Sequence, residues 1–370
     1  MKTLNQYIDQ NRINKEVEIS DSWYGELYIN TRAVFYDVPT ATTSKNVFAF
    51  ISYPSTPKPS NGYPAVLLIH GGNGAAFYEM SKEWSDRGFV VIAPDFNGKY
   101  AHSVNERQIV NENGGNAGYG SIDDLYDEHT WAYFSVLSAM RAIDVLLSLE
   151  EVDKNNIFSC GLSWGGFIQL LLSAVDSRIR AASVIYSSAF IMESEWGKKK
   201  LSQFTNDADS ENWVKYIEPH NYLAQIRHPI FFTAGADDIA FKMENRRKTS
   251  EAIKSSVYYG LRKSFPHGNF YGFEQKESSE FFISFVENYS IPQPKISFCD
   301  NKIAVKGEEN STLSLCYTIE NVDVTDKQLW EEISVRGNEL IDLPIDCTAF
   351  FVTEKTIDGL QFSSKMVRVK

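Results

Sequence analysis

The sequence predicts an α/β fold, a mostly parallel sheet flanked by helices with a small C-terminal β-sandwich, and three observations carry that prediction. Short apolar runs alternate with stretches of helical periodicity from about Tyr63 to Tyr289, as expected of parallel strands buried on both faces by crossover helices. The stiff break Ile291-Pro292-Gln293-Pro294 ends that pattern. Beyond it, strand-like segments follow one another with only turn residues between, the rhythm of a sandwich.

Taken in order, residues 1–60 read as a leader followed by two edge strands, Leu27 to Phe35 and Asn46 to Tyr53, joined by the polar turn Thr40-Ala41-Thr42-Thr43-Ser44. The core strands are then Ala65 to Ile69, Phe89 to Ala93, Asn156 to Cys160, Ala182 to Tyr186 and Ile230 to Ala234. Tyr133, Val136, Leu137, Met140, Ile143 and Leu147 fall on one face of a helix. The stretch after Ser163 is apolar nearly all round, as in a helix buried against the sheet. Phe281, Phe282, Phe285, Val286 and Tyr289 mark the last helix of a main unit spanning residues 1–290. Residues 187–222 form a cap-like insertion, and Ala101 to Asp124 a long glycine-rich loop. Both leave the carboxyl ends of strands, where such sheets bind ligands. Residues 293–370 form the Ig-like β-sandwich, with strands at Lys295 to Phe298, Ser311 to Tyr317, Ala349 to Val352 and Ser364 to Val369.

Composition narrows the function. At 43% hydrophobic and 14% aromatic, the 370-residue chain can bury a large core. A formal net charge of -12 repels phosphate backbones, which sets nucleic acid aside as a partner. No basic amphipathic stretch holds a membrane surface, no window is apolar enough to span a bilayer, and the first residues lack the apolar core of a signal peptide. A cytoplasmic protein is expected. The four cysteines, Cys160, Cys299, Cys316 and Cys347, show no metal-ligand spacing, so neither metal nor cofactor is expected. Cys160 reads as a buried thiol.

The chemistry concentrates in four motifs. Gly161-Leu162-Ser163-Trp164-Gly165-Gly166 is G-x-S-x-G set between a buried strand and a buried helix, the context that a nucleophile elbow demands. The sharp turn needs small neighbours and projects the Ser163 hydroxyl above the sheet. His70-Gly71-Gly72-Asn73-Gly74 follows the first core strand. Its glycines let the backbone approach, so the amides of Gly72 and Trp164 are the expected oxyanion donors, with Asn73 as the next choice on this loop. His70 is expected to brace this loop. Gly235-Ala236-Asp237-Asp238 offers the acid that orients a base; Asp238 is favoured, with Asp237 as the alternative. Pro266-His267-Gly268-Asn269 supplies the base on a loop ahead of the last helix. The order Ser…Asp…His is that of α/β-hydrolases. A cysteine or aspartate at the elbow would serve other reactions, such as dienelactone opening or dehalogenation; serine with His267 and Asp238 performs addition and elimination at an acyl carbon. Asn73, Trp131 and Trp196 are candidate pocket residues, with core packing as the alternative for the aromatic ones.

These motifs, together with Val175-Asp176-Ser177-Arg178, resemble the acetyl xylan esterase and cephalosporin-C deacetylase-like branch of α/β-hydrolases, related to dienelactone hydrolases and prolyl oligopeptidases. The resemblance runs from about Tyr63 to Tyr289. It implies a serine esterase without cofactor acting on small ester substrates, short-chain or acetyl esters, among them acetylated saccharides. It places the triad on Ser163, Asp238 and His267. Where those deacetylases carry tyrosine after His-Gly, this chain carries Gly72. A serine peptidase of the prolyl-oligopeptidase type is the alternative. The tail is expected to serve packing or homo-oligomer formation.

Overall fold

The computed structural model describes residues 3–6, 17–21, 29–39, 44–72, 74–97, 101–102, 131–201, 207–299, 302–323 and 328–369. Three antiparallel strands open the main sheet: β1 (Ile19–Asp21), β2 (Thr31–Pro39) and β3 (Ser44–Ser52). β2 starts later than its apolar content predicts, because Asn30 takes a positive φ of 52° and breaks the extended run before Thr31. Six parallel strands follow: β4 (Tyr63–Ile69), β5 (Val90–Pro94), β6 (Val152–Leu162), β7 (Ala181–Ile185), β8 (Ile230–Gly235) and β9 (Val257–Arg262). Their order is β1-β2-β3-β5-β4-β6-β7-β8-β9. The chain leaves β4 toward β5 on one side and returns to β6 on the other. The carboxyl ends of β4 and β6 therefore flank a switch point, where open parallel sheets bind ligands.

Alternating side chains bury both faces. Ala65, Leu67 and Ile69 join one cluster and Val66 and Leu68 the other, the period-two pattern of a strand covered on two sides. Along the chain the helices are α1 (Tyr78–Asp86), α2 (Trp131–Ser148), α3 (Trp164–Val175), α4 (Glu195–Leu201), α5 (Asp207–Tyr216), α6 (Met243–Ala252), α7 (Asn269–Glu274) and α8 (Glu277–Glu287). Helices α2 and α3 pack in the first cluster, and α1, α7 and α8 in the second. From Trp164 to Ser173 every residue of α3 is buried, which explains why its sequence shows no polar stripe. Ala76–Phe77 and Ala101–His102 form a two-stranded parallel ribbon; the rest of the loop expected over Ala101 to Asp124 lies outside the described residues. Cys160 is fully buried, and burial pushes its thiol up to about 12.

After Ile291 the chain builds two small sheets. β10 (Lys295–Cys299), β11 (Lys302–Lys306) and, later, β14 (Leu340–Asp342) form one. β12 (Thr312–Thr318), β13 (Glu331–Val335), β15 (Ala349–Lys355), β16 (Gln361–Ser363) and β17 (Val367–Arg368) form the other. Ile303, Val305, Leu315, Phe350 and Val352 share the core between them. Of the strand expected from Ser364 to Val369 only β17 forms, Val367–Arg368; β16 ends just before it, at Ser363. At the break, Ser364 exchanges hydrogen bonds with Val352: its N–H donates to the carbonyl (2.8 Å) and its Oγ accepts from the amide (2.9 Å).

Nor does the larger tail sheet stand apart, since β16 pairs antiparallel with β9 through Tyr259 and Ser363 and so extends the main sheet. The Leu261 amide donates to Ser363 Oγ (2.9 Å), while Glu277 Oε1 on α8 takes both Arg262 Nη2 (2.7 Å) and the Gln361 amide (2.8 Å). Among the described residues no helix is long and apolar enough to cross a membrane.

Candidate active site

β6 ends at Leu162 and α3 begins at Trp164, so one residue makes the turn. Ser163 has φ 54° and ψ −123°, a conformation that costs an L-residue energy and persists only where the surroundings over-determine it. Here they do. The Ser163 amide donates to Ile185 O at the end of β7 (2.8 Å), and its carbonyl accepts from Phe167 (3.1 Å). Glycines let the pieces close: a Cβ on Gly161 would overlap the Gly165 carbonyl, one on Gly165 would overlap the Ile69 and His70 carbonyls, and one on Gly166 would lie 2.5 Å from Ser187 Cβ. Ser163 stands at the N-cap of α3, so the first N–H groups of the helix, starting with Trp164, are those that helix geometry leaves without a partner inside it.

The loop after β4 lies against the elbow, with space at Gly71 so tight that a Cβ there would sit 3.2 Å from Ser163 Cβ. His70 braces that loop. Its Nε2 accepts from the Phe96 amide (2.9 Å), which fixes the neutral tautomer and leaves Nδ1–H to donate to Gly71 O (2.7 Å). Asn97 Nδ2 donates to Gly74 O (3.0 Å). Gly72, the expected oxyanion donor, is the next residue along. Asn73 and the side chain of Trp131 lie outside the described residues; the Trp131 backbone opens α2.

The acid and the base come from the ends of β8 and β9. His267 Nε2 lies 2.8 Å from Ser163 Oγ, and His267 Nδ1 lies 3.2 Å from Asp238 Oδ2. Asp238 Oδ1 accepts from the Ala240 (2.9 Å) and Phe241 (3.3 Å) amides, and Oδ2 also takes Arg246 Nη2 on α6 at 2.5 Å. Burial works to raise the Asp238 carboxyl. The Arg246 charge and the His267 hydrogen bond outweigh it and hold the carboxyl below its usual range. Asp237, the alternative acid, faces elsewhere: it accepts from Ser264 Oγ (2.5 Å) and the Phe265 amide (3.3 Å), fixing the start of the loop that carries His267. A Cβ on Gly235 would meet Phe265 N at 2.5 Å, so this glycine admits that loop.

The imidazole sits between two rings, Tyr186 at 4.8 Å and 28° and Phe241 at 6.3 Å and 7°. Burial raises the Tyr186 phenol well above its ordinary value. Trp196 on α4 packs on Trp164 (5.6 Å) and Phe241 (5.1 Å), so one wall of the site runs from the residue after the serine to the ring beside the histidine. Asn269 Oδ1 accepts from the Gly71 amide (3.3 Å) and ties the base loop to the glycine loop.

The structure thus brings Ser163, His267 and Asp238 into one hydrogen-bonded line, with Trp164 next to the serine in the chain, Gly71 close against it and Trp196 packed on Trp164. Sequence reasoning gave no role to Arg246, Asn269 or Phe241. Asn269 and Phe241 stand two and three residues beyond motif positions, a signal that was present; Arg246 lies inside a charged helix, Glu244 to Lys248, and carries no local mark.

A mostly parallel sheet with a strand–serine–helix turn at its switch point defines an α/β-hydrolase fold. Residues 50–290 match the model of the dienelactone hydrolase family, and the chain belongs to that family. Relatives include Acetyl esterase Axe7A of Xylanibacter ruminicola, 25% identical over 202 residues that cover 50% of this chain and 45% of that protein. Another is the probable dipeptidyl-peptidase 5 of Emericella nidulans, 26% identical over 184 residues, 48% of this chain and 23% of that protein. The matched stretch thus spans less than half the length of either relative. Among solved structures, the acetyl xylan esterase from Paenibacillus sp. R4 superposes with a TM-score of 0.58 at 18% identity, covering 78% of this chain and 92% of that one. The acylaminoacyl peptidase of Pyrococcus horikoshii gives 0.50 at 13% identity, covering 72% and 43%. Both likenesses concern the fold.

Proposed function

We propose that this hydrolase cleaves carboxylic esters through an acyl-enzyme on Ser163, acting on short-chain or acetyl esters such as those of acetylated saccharides. The 2.8 Å contact of the Ser163 hydroxyl with the outer nitrogen of an imidazole whose inner nitrogen faces a buried carboxylate carries the reading. His267 takes the hydroxyl proton as Oγ attacks the acyl carbon, and the oxyanion rests on the amides of Trp164 and Gly72. The imidazolium then protonates the departing alkoxide. Water, activated by the same nitrogen, attacks the acyl carbon and frees Ser163. The aromatic wall of Trp164, Trp196 and Phe241 offers an apolar surface beside the triad. Axe7A, an acetyl esterase by name, supports the ester reading.

A fluorophosphonate probe tests the nucleophile, and p-nitrophenyl acetate the acyl-enzyme. Labelling confined to Ser163 and a burst of p-nitrophenol are the expected results; wild-type turnover by Ser163→Ala would end the proposal. The dipeptidyl-peptidase relatives favour a second reading, amide cleavage. Acetylated xylo-oligosaccharides, aryl esters of increasing acyl length and dipeptidyl amides, compared by kcat/KM, separate the two. Esters are expected to lead, and a preference for the amides reverses the assignment.

A further inference from the structure

Asp238 has two cationic neighbours in prospect, and only one of them belongs to the hydrogen-bonded line. Arg246 is 4% exposed, and its Nη2 shares Asp238 Oδ2 with His267 Nδ1. Its Nη1 donates to Gly235 O (3.3 Å), the residue that opens the acid turn. With Ala240 and Phe241 amides on Oδ1, the carboxylate is held at both oxygens and cannot swing. A lone buried carboxylate beside an imidazole would stabilise the imidazolium strongly and keep a proton on the base. A guanidinium on the same oxygen offsets that charge.

We propose that Arg246 is a positioning residue that both aims Asp238 and keeps the Asp238–His267 pair from taking up a proton before Ser163 reacts. The inference rests on the reading of His267 as base. The other titratable groups beside the pair are Asp237 on its own turn, which acts on Arg246, and Tyr186 after β7, whose ring stacks on His267 and which itself feels Arg262, Cys160 and Glu274. Apart from His267, Arg246 is the cation among the described residues that hydrogen-bonds Asp238, and it supplies the largest charge effect on that carboxylate. The helix that carries Arg246 is itself held from the tail: Met366 packs with Met243, and Arg368 Nη1 reaches Glu244 Oε1 at 3.3 Å.

The test is the pH dependence of the rate at which a fluorophosphonate labels Ser163, a readout independent of the true substrate. Arg246→Gln keeps hydrogen-bonding groups near Gly235 and Asp238 but removes the charge. The proton of the coupled pair should then bind at higher pH, moving the acid-side midpoint of labelling up by about one pH unit or more. Arg246→Lys retains a cation on a shorter reach and should move the midpoint the same way by less, which keeps the test alive if the glutamine variant fails to fold. Midpoints that coincide with wild type, in whichever variants fold, overturn the proposal even if melting temperatures drop. A wild-type protein that does not label at all sinks the functional reading instead.

Discussion

The two halves of the site are built in opposite ways. The elbow is local: ten consecutive residues, Gly161 to Leu170, supply the strand end, the strained serine, the glycines that admit it and the start of the helix. The acid–base side is assembled across the chain. Asp238, Arg246 and His267 come from the end of β8, from α6 and from the loop after β9, and Asp237, Gly235 and Glu277 hold these pieces in register. A short motif can therefore announce the nucleophile, while the environment that tunes the base is visible only once the chain is folded.

Substitutions can sharpen that contrast. The largest effect belongs to Ser163→Ala, which should lower kcat about a millionfold without changing the melting temperature, since the Oγ does chemistry and little packing; a loss below a hundredfold in stopped-flow esterase assays would show that the hydroxyl is dispensable. Asp238→Asn leaves Arg246 facing a neutral amide and removes the acceptor that fixes the His267 tautomer. A fall of about ten-thousandfold in kcat is expected, with KM little changed. On the elbow side, Gly161→Ala forces a methyl group into the Gly165 carbonyl. Denaturant melts should register a loss of about 3 kcal/mol or more, and a smaller figure would mean that the turn can relax.

His228, remote from both halves, provides a control. Burial holds its imidazole down to about 4, and its Nε2 has no hydrogen-bond partner among the described residues. The folded state thus binds this proton more weakly than the unfolded chain, whose histidines titrate near ~6.5. The resulting stability is complete above the unfolded value and is lost as pH falls from about 6.5 towards 4, by up to about 3 kcal/mol. His228→Gln should flatten this part of the stability profile relative to wild type, and parallel profiles would remove His228 from the account. The smallest effect is expected for Asn269→Ala. Losing one hydrogen bond to the Gly71 amide should cost about tenfold or less in kcat/KM.

Much of the fold was legible because parallel strands covered on both faces leave near-continuous apolar runs, and β4 to β8 each left one. The elbow was legible because its glycines answer to steric contacts within a few residues. The start of β2 was misplaced because one asparagine in a left-handed conformation outweighed the apolar content before it. The choice between Asp237 and Asp238 stayed open because both fit the turn; it depends on which way each carboxylate points, and Ser264, Phe265 and Arg246 decide that from elsewhere in the sequence. The joining of tail to main sheet had no local sign at all. It rests on a three-residue strand, Gln361 to Ser363, whose partners lie about a hundred residues earlier.

That short strand also governs how the molecule meets its neighbours. Exposed backbone along a β-strand is adhesive, and an unguarded outer strand invites pairing with another chain. By lying alongside β9, Gln361 to Ser363 cover the flank where the parallel ladder would otherwise end, and Phe362 seals it with a ring packed at 6.2 Å on Phe231. Shortening the chain before Gln361 would uncover a sticky seam right next to the loop that bears the base, so solubility and catalysis would fail together.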